Sequence, residues 1–375
     1  MKTFLRILVG AAASGSAVLL AGTAMAAGSC NADAAKAEID KYKQIQPFEA
    51  GGPAFDASKA RGKTILNIQE ISSNPFTQSV SAGLKQAAEK YGVTIIDYPN
   101  QGQRNQWAQG IESAISRKVD AITLIGGTIS PEYMRPQVDA AEAAGIPIIT
   151  VVNEDLSQPA GYKATARVAQ PYEKAGRLNA DWVIADSGCK ASVLVLGSKE
   201  VLGWPASQKG IADEFEKLCG EGCKVEFRNI PVPEWATRIQ SETQSALVAD
   251  PSINYVIPVY DGMTQFVLPA IQAVDAMESV KVATFNGTPF ALKYVQDGTP
   301  VKMDVGENNA QVGYAALDQA MRIFAGVGPI ASGDTKIPLR VFDASNVGET
   351  GNPPVLGQGY GNDFISGYDK IWSGK

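Results

Sequence analysis

From residue 63 onward the chain repeats one pattern: a short apolar run, an amphipathic segment of helix length, then another apolar run. The strand candidates are "TILNIQEI" (64–71), "VTIIDY" (93–98), "AITLIG" (121–126), "PIITVV" (147–152) and "ATARV" (164–168). "SVLVLG" (192–197), "VEFRNI" (225–230), "YVIPVY" (255–260), "VATFN" (282–286) and "VKMDV" (301–305) continue the series. Segments such as "SAGLKQAAEKYG", "PEYMRPQVDAAEAAG" and "PASQKGIADEFEKLCG" lie between them. Near-continuous apolar strands alternating with helices predict parallel sheets covered on both faces. About ten strands exceed one compact doubly wound sheet of ordinary domain size, so the pattern predicts two α/β domains.

Two stretches fall outside this alternation. At 27–61, "CNADAAKAEIDKYKQIQ" reads as a helix and "PFEAGGPAFDASKARG" as a loop-rich connection. At 345–375, a Gly-, Pro- and Asn-rich half precedes a short amphipathic segment predicted to bury Phe364, Tyr368 and Trp372.

The first 26 residues change the setting. Lys2 and Arg6, an apolar stretch and "TAMA" form the pattern of a secretory signal peptide cleaved after Ala26. "AGSC" leaves a lipid anchor at Cys30 as the rival reading, although Ala27 stands where a larger aliphatic residue is usual. The whole chain carries a net charge of −6, and losing Lys2 and Arg6 gives −6 − 2 = −8. Such a surface repels nucleic acid and anionic lipid. The four cysteines, Cys30, Cys189, Cys219 and Cys223, follow the leader, and export favours disulfides. "EKLCGEGCKVEF" reads as helix end, glycine turn and strand start, which brings Cys219 and Cys223 together and leaves Cys30 with Cys189. The chain has no histidine, which excludes Ser-His-Asp and Cys-His chemistry and leaves no zinc-like ligand set.

In open parallel sheets, ligands bind beyond the carboxyl ends of the strands. Those ends carry Asn74, Phe76 and Thr77 in "SSNPFTQSV", then Asn153, Glu154 and Asp155. Further along they carry Trp204 and Lys209, Glu234 and Trp235, Tyr260 and Asp261, Asn286, and Glu307. Each has an ordinary reading as a helix cap or a core plug. Their recurrence at one edge suits a sugar: flat rings cover its C–H face, while amides and carboxylates orient its hydroxyls. Phosphate loops are missing from the sequence, and "LIGGTISPE" reads as an ordinary turn.

"NPF" after the first strand, "AGIPIITV", "YDGM" and "FNGTP", in that order and spacing, resemble the periplasmic sugar-binding proteins of the ribose-binding type. These are the solute receptors of ABC importers. The resemblance runs from about Gly62 to about Phe342. It implies a type I periplasmic binding fold: two Rossmann-like lobes joined by a three-segment hinge, with crossings near Gln170, Glu307 and Leu339. The N-terminal lobe would comprise 62–169 and 308–338, and the C-terminal lobe 170–307 and 339–344.

Carried over by position, Asn74 and Phe76 would contact ligand from the first lobe, with Thr77 where a second ring is common. Lys209 would stand where the family often has arginine, and Trp235 would be the opposing aromatic. Tyr260 would replace an asparagine, Asn286 an aspartate and Glu307 a glutamine. The family's Asp-Arg pair is replaced by "VVNED", so Asn153 matches by position only. These departures point away from ribose itself, toward a polyol, a modified sugar or an amine-bearing solute.

The resemblance implies a monomeric receptor that delivers a small polar solute to an ABC permease, with no cofactor, no metal and no catalysis. A receptor that signals to a membrane sensor kinase or chemoreceptor has the same fold. An exported carbohydrate-active enzyme would rely on a carboxylate pair such as Asp261 and Glu307.

Overall fold

The structure, a computed structural model, describes residues 30–374, so the leader read at 1–26 lies outside the described residues. The first sheet holds β1 (Thr64–Gln69), β2 (Thr94–Asp97), β3 (Ala121–Ile125), β4 (Ile148–Asp155) and β5 (Ala166–Gln170). Its order is β2-β1-β3-β4-β5, and every pairing is parallel. Within β1, Ile65 points to one face and Leu66 and Ile68 to the other. Helices therefore cover both faces. α3 (Arg104–Arg117) and α4 (Arg135–Ala143) lie on one, α2 (Pro75–Tyr91) and α10 (Asn309–Ala325) on the other.

The second sheet holds β6 (Ser192–Gly197), β7 (Lys224–Asn229), β8 (Tyr255–Pro258), β9 (Lys281–Asn286), β10 (Val301–Glu307) and β11 (Leu339–Asp343). Its order is β11-β10-β9-β8-β6-β7, parallel except for the antiparallel β10–β11 pair. Helices α5 (Tyr172–Ser187), α6 (Trp204–Leu218), α7 (Trp235–Ala249), α8 (Thr264–Ala273) and α9 (Pro289–Gln296) accompany it. The ten expected strands are all present. β11 was not among them, because Arg340 interrupts its apolar run. β4 extends three residues beyond its expected end, so Asn153, Glu154 and Asp155 belong to the strand and not to a loop after it.

The chain passes between the sheets after β5, after β10, and between α10 and β11. The stretches flanking this frame are also ordered. α1 (Ala32–Tyr42) packs on α5 and buries Ala35 and Ile39. α11 (Asp363–Trp372) packs on α10, with the Trp372 ring stacked 5.9 Å from Tyr314 and its indole N–H donating to Asp318 at 2.7 Å. Phe364, Tyr368 and Trp372 are buried, as the sequence predicts. Cys219 is paired with Cys223 and Cys30 with Cys189, at Cα separations of 5.7 and 5.8 Å.

Candidate functional site

Strand order reverses between β1 and β3 in the first sheet and between β6 and β8 in the second. These are the two switch points at which an open α/β sheet leaves a crevice. The two crevices face each other across a cleft whose atom-free space, part of it open to solvent, is about 410 Å³. From the first lobe it is lined by Glu70 beyond β1, Phe76 in the first turn of α2, and Gly127 and Thr128 beyond β3. From the second it is lined by Val201 after β6, Val259 and Tyr260 after β8, Trp235 at the start of α7, Asn286 ending β9, and Tyr172 at the start of α5. The lobes stand closed. Leu202 N–H donates across the cleft to the Gly127 carbonyl at 2.8 Å, and Gln158 Nε2 donates to the Leu202 carbonyl at 3.0 Å.

Local sequence explains how the rings are aimed. Asn74 caps α2, accepting the Phe76 N–H at 2.9 Å, and Pro75 occupies the first helical position. Phe76 is thus fixed at the helix start, against the cleft. Trp235 donates its indole N–H to the Ile230 carbonyl at 3.0 Å, so the ring offers its face and edge carbons only. It leans on Tyr260, with centroids 5.2 Å apart and planes at 32°. Tyr172 reaches the other lobe and donates its hydroxyl to the Val152 carbonyl at 2.7 Å.

The polar edge is built around the Glu70 carboxyl, Thr128 and the Asn286 amide. Glu70 accepts from Asn74 Nδ2 through one oxygen, and from the Thr128 N–H and hydroxyl through the other, each at 3.0 Å. Its side chain fits because Gly126 has φ +138°, and a Cβ there would lie 2.6 Å from the Glu70 side-chain carbons. Burial raises the Glu70 carboxyl above its ordinary range. Asn286 has φ +129°, unusual for a residue with a side chain, and donates to Glu307 Oε1 at 3.0 Å. Glu307 also accepts from Gln170, and burial pushes its carboxyl up to about 8. Among the described residues lining the cleft, none carries a positive charge.

Of the residues expected at the site, Phe76, Trp235, Tyr260 and Asn286 line one cleft, and Asn74 and Glu307 brace it from behind. The others lie elsewhere. Lys209 stands on the exposed face of α6, paired with Asp213 at 2.5 Å and Glu173 at 3.4 Å. Trp204 is a core ring, 3% exposed, and packs where Gly197 has no side chain. Thr77 is buried and turns its hydroxyl back to the Ile71 and Asn74 carbonyls, each at 3.2 Å. Asn153 holds the Ile129 carbonyl at 2.6 Å, and Glu154 is buried beside Thr150. Asp261 is buried and accepts the Thr288 N–H at 2.8 Å and its hydroxyl at 2.6 Å. Glu234 pairs with Arg238 at 2.6 Å on an exposed surface.

Sequence reasoning missed Glu70, Gly127, Thr128, Tyr172, Val201 and Val259. Glu70 was hidden inside the strand expected at 64–71, whereas β1 ends one residue before it, at Gln69. The turn beyond β3 looked ordinary because only strand order reveals it as a switch point.

The sequence profile described as "Periplasmic binding protein domain" matches residues 65–327. The chain is 26% identical over 231 residues to the D-apiose import binding protein of Actinobacillus succinogenes, covering 61% of this chain and 71% of that one. Among solved structures, it is similar to an ABC sugar transporter subunit from Rhodobacter sphaeroides, with a TM-score of 0.65 at 20% identity. That match spans 76% of this chain and 99% of the other. A periplasmic solute-binding protein from Actinobacillus succinogenes with bound D-allose gives a TM-score of 0.64 at 21% identity, over 76% of this chain and 99% of that one. Two facing switch-point crevices between hinged lobes and the profile match across both lobes lead to one conclusion: the chain belongs to the periplasmic binding protein domain family.

Proposed function

We propose that this protein captures a small, polar, uncharged or positively charged solute between its lobes and delivers it to an ABC permease. The observation that carries this reading is the cleft lined from both switch points, with aromatic faces on either side and the Glu70 carboxyl at the edge. A sugar or polyol meets both requirements: its C–H faces suit Phe76, Trp235 and Tyr260, and its hydroxyls suit Asn286 and the acceptors around Glu70. The relatives named for D-apiose import and crystallised with D-allose support that class. Sugar acids and phosphates are disfavoured, because among the described residues no cation lines the cleft to offset their charge.

On this reading the lobes comprise 62–169 with 308–338, and 170–307 with 339–344. Ligand contacts made by both lobes shift an open–closed equilibrium. The leader at 1–26 would send a monomeric mature protein to the periplasm. Asp261 and Glu307, the carboxylates an enzyme would need, are each engaged by neighbouring amides or hydroxyls, which favours a receptor.

A thermal-shift screen of sugars, polyols, amino sugars, sugar acids and small aromatics tests the proposal. A solute at a thousand times its dissociation constant stabilises the folded state by about 4 kcal/mol. Stabilisation by sugar acids alone would overturn the charge argument. Turnover of a bound sugar would replace the receptor with an enzyme.

A further inference from the structure

Both terminal stretches run from the second lobe to the first, and both lie outside residues 65–327 of the family match. The N-terminal one is fixed to the second lobe by Cys30–Cys189 and by Asn31 N–H donating to the Leu218 carbonyl at 2.8 Å. Lys43 still pairs with Asp343 of β11 at 2.6 Å. Five residues later, the Phe48 ring lies 5.2 Å from Tyr368 on α11, against the first lobe. Phe55 N–H then donates to the Ile371 carbonyl at 2.7 Å, and its ring covers the Arg322 guanidinium at 4.6 Å.

The C-terminal stretch makes the same passage. Gln296 of α9 donates to the Val347 and Gly351 carbonyls, and the Tyr360 ring sits 5.1 Å from Phe342 of β11. Four residues on, Phe364 packs 5.3 Å from Tyr314 of α10 in the first lobe. The two passages touch. Gly361, at φ +81°, has no side chain, and a Cβ there would lie 3.0 Å from Ile45 Cγ2.

One buried side chain gathers both. Arg340 lies on β11, beside the third segment joining the lobes, and is 4% exposed. Its Nε donates to the Lys43 carbonyl at 2.8 Å, Nη1 to the Gly359 carbonyl, and Nη2 to Glu349 at 2.7 Å. The geometry points to a hinge of five segments, in which Arg340 is a positioning residue that ties both terminal straps to the third crossing. Each strap is pinned on both lobes. A passage of five residues spans roughly 17 Å at full extension, so the straps limit how far the lobes separate. A protein held nearer its closed form has a larger binding-competent fraction, which tightens apparent affinity. This inference stands whichever solute occupies the cleft.

Lengthening the straps without removing their contacts tests it. A Gly-Gly-Ser-Gly insertion goes after Ile45, after Gly361, or at both places. Cysteines replacing Glu112 on α3 and Gln240 on α7 carry spin labels, and all four native cysteines are in disulfides. Pulsed electron–electron resonance on the full mature chain, without solute, reads the interlobe distance. The double insertion is expected to broaden the distribution by several ångströms toward longer separations, with little change in melting, because loop-closure entropy grows slowly with length. Arg340→Ala should shift it the same way, and Arg340→Lys should partly restore it. A parental distribution in the double insertion overturns the inference. If that protein melts much lower, the single insertions and Arg340→Ala carry the comparison, and an unchanged distribution in all of them overturns it equally.

Discussion

Asn286 donates its side-chain amide to Glu307 at 3.0 Å, so a residue facing the cleft is held by a carboxyl that does not face it. Burial pushes Glu307 up to about 8, and Asp261, bonded to Thr288, up to about 7. Both bind protons more tightly folded than unfolded. The stability they contribute is complete below the ordinary carboxylate range and is lost as pH rises through about 7 and 8. The ligand-free protein should therefore melt progressively lower as pH rises through that window. Glu307→Gln should flatten the upper part of the profile. Its new amide can be accepted by Gln170, whose Oε1 is buried without a partner and can turn toward it. Melting curves across pH for both proteins check this, and parallel profiles would refute it.

Trp235→Ala should weaken solute binding by about 2 kcal/mol, the scale of a central aromatic anchor. Its ring is only partly buried, so melting without solute should change much less. Calorimetric titration with the best solute from the screen, beside ligand-free melting, separates these effects. Normal affinity in the variant would remove Trp235 from the site.

Trp204→Ala should behave in the opposite way. The ring is buried in the core of the second lobe, 6.3 Å from Phe227, and truncation should cost about 3–5 kcal/mol of stability. Urea unfolding measures it. Lys209→Ala, on an exposed ion pair, should change stability by less than about 1 kcal/mol and leave affinity unaltered.

The two disulfides should differ in weight. Cys30 and Cys189 are 159 residues apart in sequence, Cys219 and Cys223 only four. In the chain-entropy account the long loop contributes roughly 5 kcal/mol and the short one roughly 2 kcal/mol. Cys30→Ser should lower the melting temperature clearly more than Cys219→Ser. An equal fall would show that the long loop stays compact when unfolded.

The alternation of apolar runs was enough to read both sheets, because buried parallel strands are apolar on both faces. β11 escaped because a buried arginine lies within it, and its three bonds depend on chain segments far away in sequence. Phe76 and Trp235 were legible from strand-end position together with the family resemblance, and both line the cleft. Lys209 and Trp204 failed by the same rule: a helix at a strand end sends only its first residues toward the cleft, and which side they take depends on packing. Trp204 turned inward because Gly197 leaves room beneath it. Glu70 and Thr128 needed the order of strands in the sheet, which is not local information.

The buried Arg322–Asp318 pair on α10 is roofed by Phe55 from one end of the chain and Trp372 from the other. Neither residue is near α10 in sequence, so the first lobe cannot seal its interior from a contiguous stretch of its own residues. Completing the first lobe therefore requires contacts between residues far apart in sequence. Contacts of that kind carry a large loop-closure cost before they form, and a high proportion of them slows folding.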